Sequence, residues 1–367
     1  MTQRWLVRRG QSLDAVLADF DAEAPLAQAW TIPGSWYSDE RVYAREMETV
    51  FARTWQMAAR EDQLREVGSY VTTEVAGEPI VVVRDRGKEL RAFYNVCQHH
   101  AAAVMTECEG RAERLKCPYH GWTYGLDGRL ERTTELDGVE GLDTSGLVPV
   151  DVATWESFVF VRLEGSGGIS DGLGERLRSG IAALGLGRLR HGGRRVLEVG
   201  CNWKVFVDNY LDGGYHVPFL HRGLSSVLAF KDYRIECFDR VCLQSSPISG
   251  NGGEAATAAA RRGHASYWWL YPNLMLDAYE GYLDTNLVVP MGVDRTKVVF
   301  DFWFEEGADV EASIDVSMRI QEEDRAICES VQRGLRSRGY HKGRLSVRRE
   351  AGERLFHQLL AADLQRV

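Results

Sequence analysis

No apolar stretch in these 367 residues is long enough to span a bilayer. The chain also lacks any excess of positive charge. Its 44 Lys and Arg stand against 53 Asp and Glu, a net charge of -9, which argues against nucleic acid as a partner. A cationic substrate is compatible with that balance, although most acidic proteins are acidic for solubility. Seven cysteines, odd in number and scattered, do not make a disulfide framework. No intact nucleotide-binding loop is present. The segment Glu164-Gly165-Ser166-Gly167-Gly168 comes nearest to GxGxxG, but Ser170 occupies the third glycine position and no strand–helix unit of the right kind surrounds it. It reads as a linker. Without a nicotinamide, flavin or phosphate-loop motif, reducing equivalents are expected from a separate protein. The N-terminus MTQRWLVRRGQSLDAVLADF turns from basic to acidic without an apolar segment or cleavage site, so a cytoplasmic protein is expected.

What the chain does contain is ordinary globular composition, 44% hydrophobic and 26% charged, and length enough for two cores. Within it stand two short pairs, Cys97-Gln98-His99 and, after a gap of seventeen residues, Cys117-Pro118-Tyr119-His120. A CxH followed by a CxxH offers two thiolates and two imidazoles on opposed loops. That ligand set holds a Rieske [2Fe–2S] cluster, with both cysteines on one iron and both histidines on the other. Zinc is the competing occupant, since Cys₂His₂ sites are common. Zinc pairs usually run CxxC and HxxxH, however, each uniform in type, whereas each pair here is mixed. Cys108, Cys201, Cys237, Cys242 and Cys328 read as reduced core residues.

The pattern along the chain predicts an α+β protein. Residues 1–45 form a helical lead-in, with a helix start near Ser38-Asp39-Glu40. Residues 46–165 read as an all-β domain of short strands (SYVTTEV, PIVVVRD, LRAFYNV, WTYGLDGRL, SFVFVRL) and contain both ligand pairs. Residues 166–367 carry a helix over Trp203–Tyr215, then strands (SYWWLY, NLMLDAY, LDTNLVVP, KVVFDFWF), then a long helix from about Ala312 to Arg338. Between the first helix and the strands, SSPISGNGGEAATAAARRG reads as a mobile loop and candidate lid on composition.

A second metal site is legible around His216 and His221, five residues apart with Pro218 breaking the helix between them. Two nearby histidines are more often structural than ligating. With one carboxylate, however, they make the facial triad of non-haem iron(II) oxygenases. On the long helix, Ile320, Ile327, Cys328, Val331 and Leu335 fall on one face at helical spacing, and Asp324 lies in its middle. An ionised carboxylate in an apolar stripe needs a partner that offsets its desolvation. A metal is one. An ion pair with Arg325 or Lys204, or a place in a helix's first turn, is the alternative. Glu322 and Glu323 read as a solvated face.

These motifs resemble the α subunit, or terminal oxygenase, of the Rieske non-haem iron oxygenases over nearly the whole chain. Within that family, CNWKVFVDNYLDGGYHVPFLH, LYPNLM, DTNLVVP and QEEDRAICESVQRGL are most similar to choline monooxygenase and its bacterial relatives. The resemblance implies a Rieske domain plus a helix-grip catalytic domain, in which an antiparallel sheet wraps helices. It also implies a homotrimer supplied with electrons by a ferredoxin or an NAD(P)H-dependent reductase. Cys97, His99, Cys117 and His120 would hold the [2Fe–2S] cluster, and His216, His221 and Asp324 a mononuclear Fe(II). Two departures stand out. His100-Ala101 replaces the family's usual Arg-Gly or Arg-Ala. The acid often found three residues before the first iron histidine, which bridges to a cluster histidine of the next subunit, is Gly213. Asp208 and Asp212, with Asn209 beside them, are then the candidate catalytic residues on that helix. Asp208 is the favoured bridge, because Asp212 adjoins Gly213-Gly214.

The implied activity is insertion of oxygen from O₂ into a small organic substrate. The aromatic run Tyr267-Trp268-Trp269-Leu270-Tyr271, with Tyr279 and Tyr282, could cage a quaternary ammonium such as choline or a betaine. The competing expectation is that these rings are strand core. The substrate would then be neutral, for an aromatic-ring or alkyl hydroxylase or an N-demethylase.

Overall fold

The computed structural model describes residues 11–225, 228–248 and 263–366. Most of the stretch read as a candidate lid, and the first ten residues of the lead-in, lie outside them. The chain divides into two compact units, Met47–Asp171 and Met1–Glu46 with Gly172–Val367. Among the described residues no helix is long and apolar enough to cross a membrane.

The unit Met47–Asp171 is built from β1 (Gln56–Arg60), β2 (Ser69–Val75), β3 (Glu78–Arg84), β4 (Leu90–Tyr94), β5 (Glu109–Arg111), β6 (Leu115–Lys116), β7 (Thr123–Tyr124), β8 (Leu130–Arg132), β9 (Pro149–Trp155) and β10 (Phe158–Arg162). Seven strands pair in the order β1-β10-β9-β4-β3-β2-β5, and β6-β7-β8 form a small separate sheet. The unbroken apolar run of β3 is explained by burial on both faces. Val81 and Val83 join Tyr70, Phe93 and Leu115 on one side, while Ile80 and Val82 join Val71, Ala92 and Val159 on the other. Cys97, Cys117, Trp122 and Tyr124 belong to the first of these clusters.

The second unit centres on an antiparallel sheet of β11 (Arg190–Val199), β12 (Arg234–Phe238), β13 (Val241–Pro247), β14 (His264–Leu270), β15 (Leu274–Tyr279), β16 (Tyr282–Gly292) and β17 (Arg295–Phe304). Their order is β11-β17-β16-β15-β14-β13-β12, a meander whose first strand returns beside the last. Helices Trp203–Leu211, Val310–Leu335 and Ala351–Leu364 accompany it. Two of them start at side-chain caps. Asn202 accepts from the Lys204 amide at 3.1 Å, and Asp309 from the Ala312 amide at 3.3 Å. The chain is thus α+β as expected.

Residues 164–168 are irregular, as the linker reading expects, and lead into the helix Ser170–Leu184, where Asp171 accepts the Gly168 amide at 2.7 Å. Two local expectations need correction. The closing helix Ala351–Leu364 was not anticipated. The buried side of helix Val310–Leu335 was also misjudged, since Ile327 is 38% and Val331 44% exposed. Its buried residues are Ser313, Ile314, Val316, Ser317, Asp324, Cys328 and Gln332. Polar groups can lie there because they are satisfied; the Gln332 carbonyl, for example, accepts the Asn202 amide at 2.9 Å.

Candidate metal centres and cavity

In the β unit, Cys97 and His99 lie on the loop after β4, and Cys117 and His120 on the turn between β6 and β7. The two turns are built alike. The Ala101 amide bonds to the Cys97 carbonyl at 2.9 Å, and the Gly121 amide to the Cys117 carbonyl at 3.1 Å. Ala101 and Gly121 both take left-handed backbone, at φ 58° and 75°. This folding brings the rings of His99 and His120 to 4.7 Å between centroids. Both thiols are buried, and burial first, then the nearby Cys97 thiol, raises the Cys117 pKa above its ordinary value. The Tyr124 hydroxyl lies 3.3 Å from the Cys97 sulfur and accepts the Gln98 amide at 3.0 Å. The His99 ring stacks on Trp122, yet its Nδ1 is buried with no hydrogen-bond partner. Burial, then the neighbouring His100 and His120, holds its pKa below the ordinary value, so the neutral, ligating form is favoured. Two adjacent thiols and an orphaned imidazole nitrogen fit a [2Fe–2S] cluster.

In the other unit, helix Trp203–Leu211 ends at Asp212, and Gly213 and Gly214 follow with φ of 68° and 67°. A side chain at Gly213 would meet the Arg349 carbonyl oxygen at 2.1 Å from its Cβ, so only glycine fits this left-handed turn. The turn folds the chain back so that Asp212 accepts the backbone amides of Tyr215 (3.1 Å) and His216 (3.0 Å). Contrary to the expectation from the sequence, Pro218 does not break a helix. It sits in the first turn of the short helix Val217–Leu220, where a missing N–H costs nothing, and His216 and His221 flank that helix.

The ligand atoms then converge. His216 Nε2 lies 3.8 Å and His221 Nε2 3.1 Å from Asp324 Oδ1. Each imidazole is turned by a carboxylate at its other nitrogen. Asp212 Oδ2 is 2.6 Å from His216 Nδ1, and Glu323 Oε2 is 2.6 Å from His221 Nδ1. This arrangement aims both Nε2 atoms at one point, the usual support of metal-bound histidine. Asn209 donates to Asp324 Oδ1 at 2.8 Å. Burial lowers the His221 pKa, but Asp324 and Glu323 outweigh it and leave the group above its ordinary value. A donor set of two imidazoles and one carboxylate within 4.8 Å of one another fits iron(II).

Neither competing partner of Asp324 reaches it. Arg325 pairs with Glu322 at 2.6 Å, and the buried Lys204 with Glu46 at 2.6 Å. Glu323 faces solvent as expected, its side chain 48% exposed, and it also reaches His221. Asp208 does not meet His216. It accepts from Tyr37 Oη at 2.5 Å and lies 3.0 Å from His357 Nε2, within a cluster that includes Glu353. Asp212, rather than Asp208, is the acid against His216.

The triad opens into a cavity of about 670 Å³, its mouth included. Tyr210, Tyr233, Tyr267 and Tyr279 line it, and no lysine or arginine does so among the described residues. Of the rings expected to form a cage, Tyr267 and Tyr279 face the cavity. Trp268, Trp269, Tyr271 and Tyr282 are buried and lie outside its lining. Tyr210 and Tyr233 were missed.

Comparison with known proteins agrees with this geometry. Residues 54–144 match the Rieske [2Fe-2S] domain, and residues 186–366 the catalytic domain of the ring hydroxylating alpha subunit. Chloroplastic choline monooxygenase of Arabidopsis thaliana is 37% identical over 96% of this chain and 87% of its own length. The chain belongs to the Rieske non-haem iron oxygenases. The carnitine monooxygenase oxygenase subunit of Escherichia coli (strain K12) is 34% identical, covering 91% of this chain and 94% of that one. Among solved structures, the quaternary ammonium Rieske monooxygenase CntA with L-carnitine superposes with a TM-score of 0.84 at 30% identity, over 95% of this chain and 98% of that one. Naphthalene 1,2-dioxygenase from Rhodococcus sp. shares the fold, with a TM-score of 0.76 at 21% identity over 91% of this chain and 94% of its own. As a Rieske oxygenase, the protein uses a [2Fe–2S] cluster and a mononuclear iron, and its co-substrate is O₂.

Proposed function

We propose that this oxygenase acts on a quaternary ammonium compound, with Cys97, His99, Cys117 and His120 holding the cluster and His216, His221 and Asp324 the iron. The observation that carries the reading is a triad of two imidazoles and one carboxylate opening on a cavity with four tyrosines and no lysine or arginine among its described lining residues. Tyrosine faces attract a methylated ammonium by roughly 0.5–2 kcal/mol per contact. The choline and carnitine monooxygenases among its relatives support the same class.

When bound, the iron supplies reductive activation of O₂. The chain's own residues do the rest. Asp212 and Glu323 fix the tautomer and direction of the two imidazoles, and Asn209 holds Asp324 in place. The tyrosine lining orients the substrate and limits water.

Electrons come from a ferredoxin or an NAD(P)H-dependent reductase, and the working form is a homotrimer in which one subunit's cluster serves its neighbour's iron. For CntA, inter-subunit electron transfer is described. The exposed Ile327 and Val331, in a recess with Tyr37, Asp208 and Tyr340, offer apolar surface for such an assembly. The test is to incubate iron-loaded protein with a reductase system, O₂ and a panel of quaternary amines, neutral aromatics and alkanes. A product with one added oxygen atom, or its dealkylated fragments, from the quaternary amines alone is expected. Turnover confined to the neutral compounds rejects the reading.

A further inference from the structure

One row of side chains crosses the cavity floor. Gln244, Tyr267, Asp277 and Asp284 stand directly opposite one another on β13, β14, β15 and β16, and all four line the cavity. Two carboxylates thus sit side by side on adjacent strands, a pairing that is unfavourable unless something offsets it. Asn286 donates to both, at 3.1 Å to Asp277 and 3.4 Å to Asp284. Tyr210 Oη donates to Asp277 at 2.6 Å, and Tyr282 Oη to Asp284. Every partner of Asp277 is neutral or acidic, and it forms no ion pair among the described residues.

We infer that Asp277 and Asp284 form the headgroup subsite of this cavity, selecting an alkylammonium monocation whose other end is uncharged and disfavouring zwitterions that carry a carboxylate. The inference rests on the quaternary ammonium reading above and narrows it. Aromatic rings alone would accept any methylated ammonium, whereas a carboxylate pair on the cavity floor makes the field negative. A bound cation supplies a countercharge to Asp277, which forms no ion pair among the described residues. A substrate carboxylate would find no lysine or arginine among the described lining residues and would add to the repulsion. Burial first, then Asp284, pushes the Asp277 carboxyl well above the ordinary carboxylate value. The empty site therefore favours a protonated member of the pair, and an arriving cation favours its ionisation.

Calorimetric titration of the iron-loaded protein without O₂ tests this with three probes: choline, its neutral carbon isostere 3,3-dimethylbutan-1-ol, and L-carnitine. Choline is expected to bind at least about tenfold more tightly than either of the others. Asp277→Asn, which keeps the shape and a hydrogen-bonding end, is expected to weaken choline by about tenfold while leaving the isostere unchanged. Equal binding of choline and isostere by the unaltered protein overturns the inference without any variant. So does equal binding of choline and carnitine, or a loss for choline and isostere alike in Asp277→Asn. If choline binds but Asp277→Asn leaves it untouched, the tyrosines alone hold the headgroup and only this inference fails. If no quaternary amine binds at all, the broader reading fails with it.

Discussion

Asp212 Oδ2 lies 2.6 Å from His216 Nδ1, and the same carboxylate accepts the His216 and Tyr215 backbone amides. One acid therefore fixes both the direction of the imidazole and the fold of the turn that carries it. Asp208, one helical turn earlier, is engaged by Tyr37 and His357. Spacing alone put both acids on the face of His216. The left-handed turn at Gly213-Gly214, which the sequence marked only as a distortion, selects the nearer one.

Substituting each acid by asparagine separates their roles. Asp212→Asn is expected to retain the cluster and much of the iron, but to lose about 10–100-fold in product formation. Single-turnover transfer from the chemically reduced cluster is the measurement that matters, because an acid that bridges subunits controls that step. Asp208→Asn is expected to leave the transfer near normal and to lower thermal stability, since it disturbs a buried hydrogen-bonded cluster. Slow transfer in Asp208→Asn alone would make that residue the bridge.

The triad makes a graded prediction. Asp324→Ala removes a ligand and is expected to abolish mononuclear iron binding and product formation, while the visible spectrum of the cluster stays intact. Glu323→Gln keeps all three ligands and loosens only His221, so iron affinity is expected to fall by about tenfold. Iron content after dialysis against a chelator, compared with cluster absorbance, reads both. Full iron occupancy and turnover in Asp324→Ala would remove it from the ligand set.

How much of this was legible depended on how local each feature is. The pairs around Cys97 and Cys117 are short motifs whose residue types and spacing state their chemistry. The strands of the β unit announced themselves by apolar runs between turn residues. Asp324 was singled out as a carboxylate on an inward face, although the face itself was drawn too far toward Ile327 and Val331. Glu323 could not be found, because its partner His221 is 102 positions distant and no local pattern links a helix surface to a remote turn. The tyrosines divided for a similar reason. Strand alternation says that neighbouring rings point to opposite faces, but not which face meets the cavity. Tyr210 and Tyr233 arrive from outside the strands altogether.

The cluster prediction separates iron–sulfur from zinc. Purified protein is expected to be red-brown and to contain acid-labile sulfide, with two irons per chain beyond the mononuclear one. Cys97→Ser is expected to lose the visible absorption and all turnover with a physiological type of donor, yet to retain iron at the triad. Stoichiometric zinc without sulfide would assign the four residues to a structural metal instead.

A last prediction concerns the Lys204–Glu46 pair, fully buried, with Nζ 2.6 Å from Oε1 and Trp203 Nε1 donating to Oε2 at 2.8 Å. Burial disfavours charge on both partners. It lifts the Glu46 pKa above and drops the Lys204 pKa below the ordinary value, while their mutual attraction opposes both shifts. Removing one partner leaves the other desolvated without compensation. Lys204→Met or Glu46→Gln is therefore expected to destabilise the catalytic unit by about 3–5 kcal/mol. Replacing both, as in Lys204→Met with Glu46→Leu, removes the buried charge and is expected to recover most of that loss. The pair lies at the start of the helix that carries Asn209 and ends at Asp212, so the single variants are also expected to lose iron before they unfold. Chemical denaturation followed by tryptophan fluorescence, with iron release measured alongside, checks both parts. If the double variant is as unstable as the single ones, the pair contributes through its shape and hydrogen bonds rather than through compensated charge.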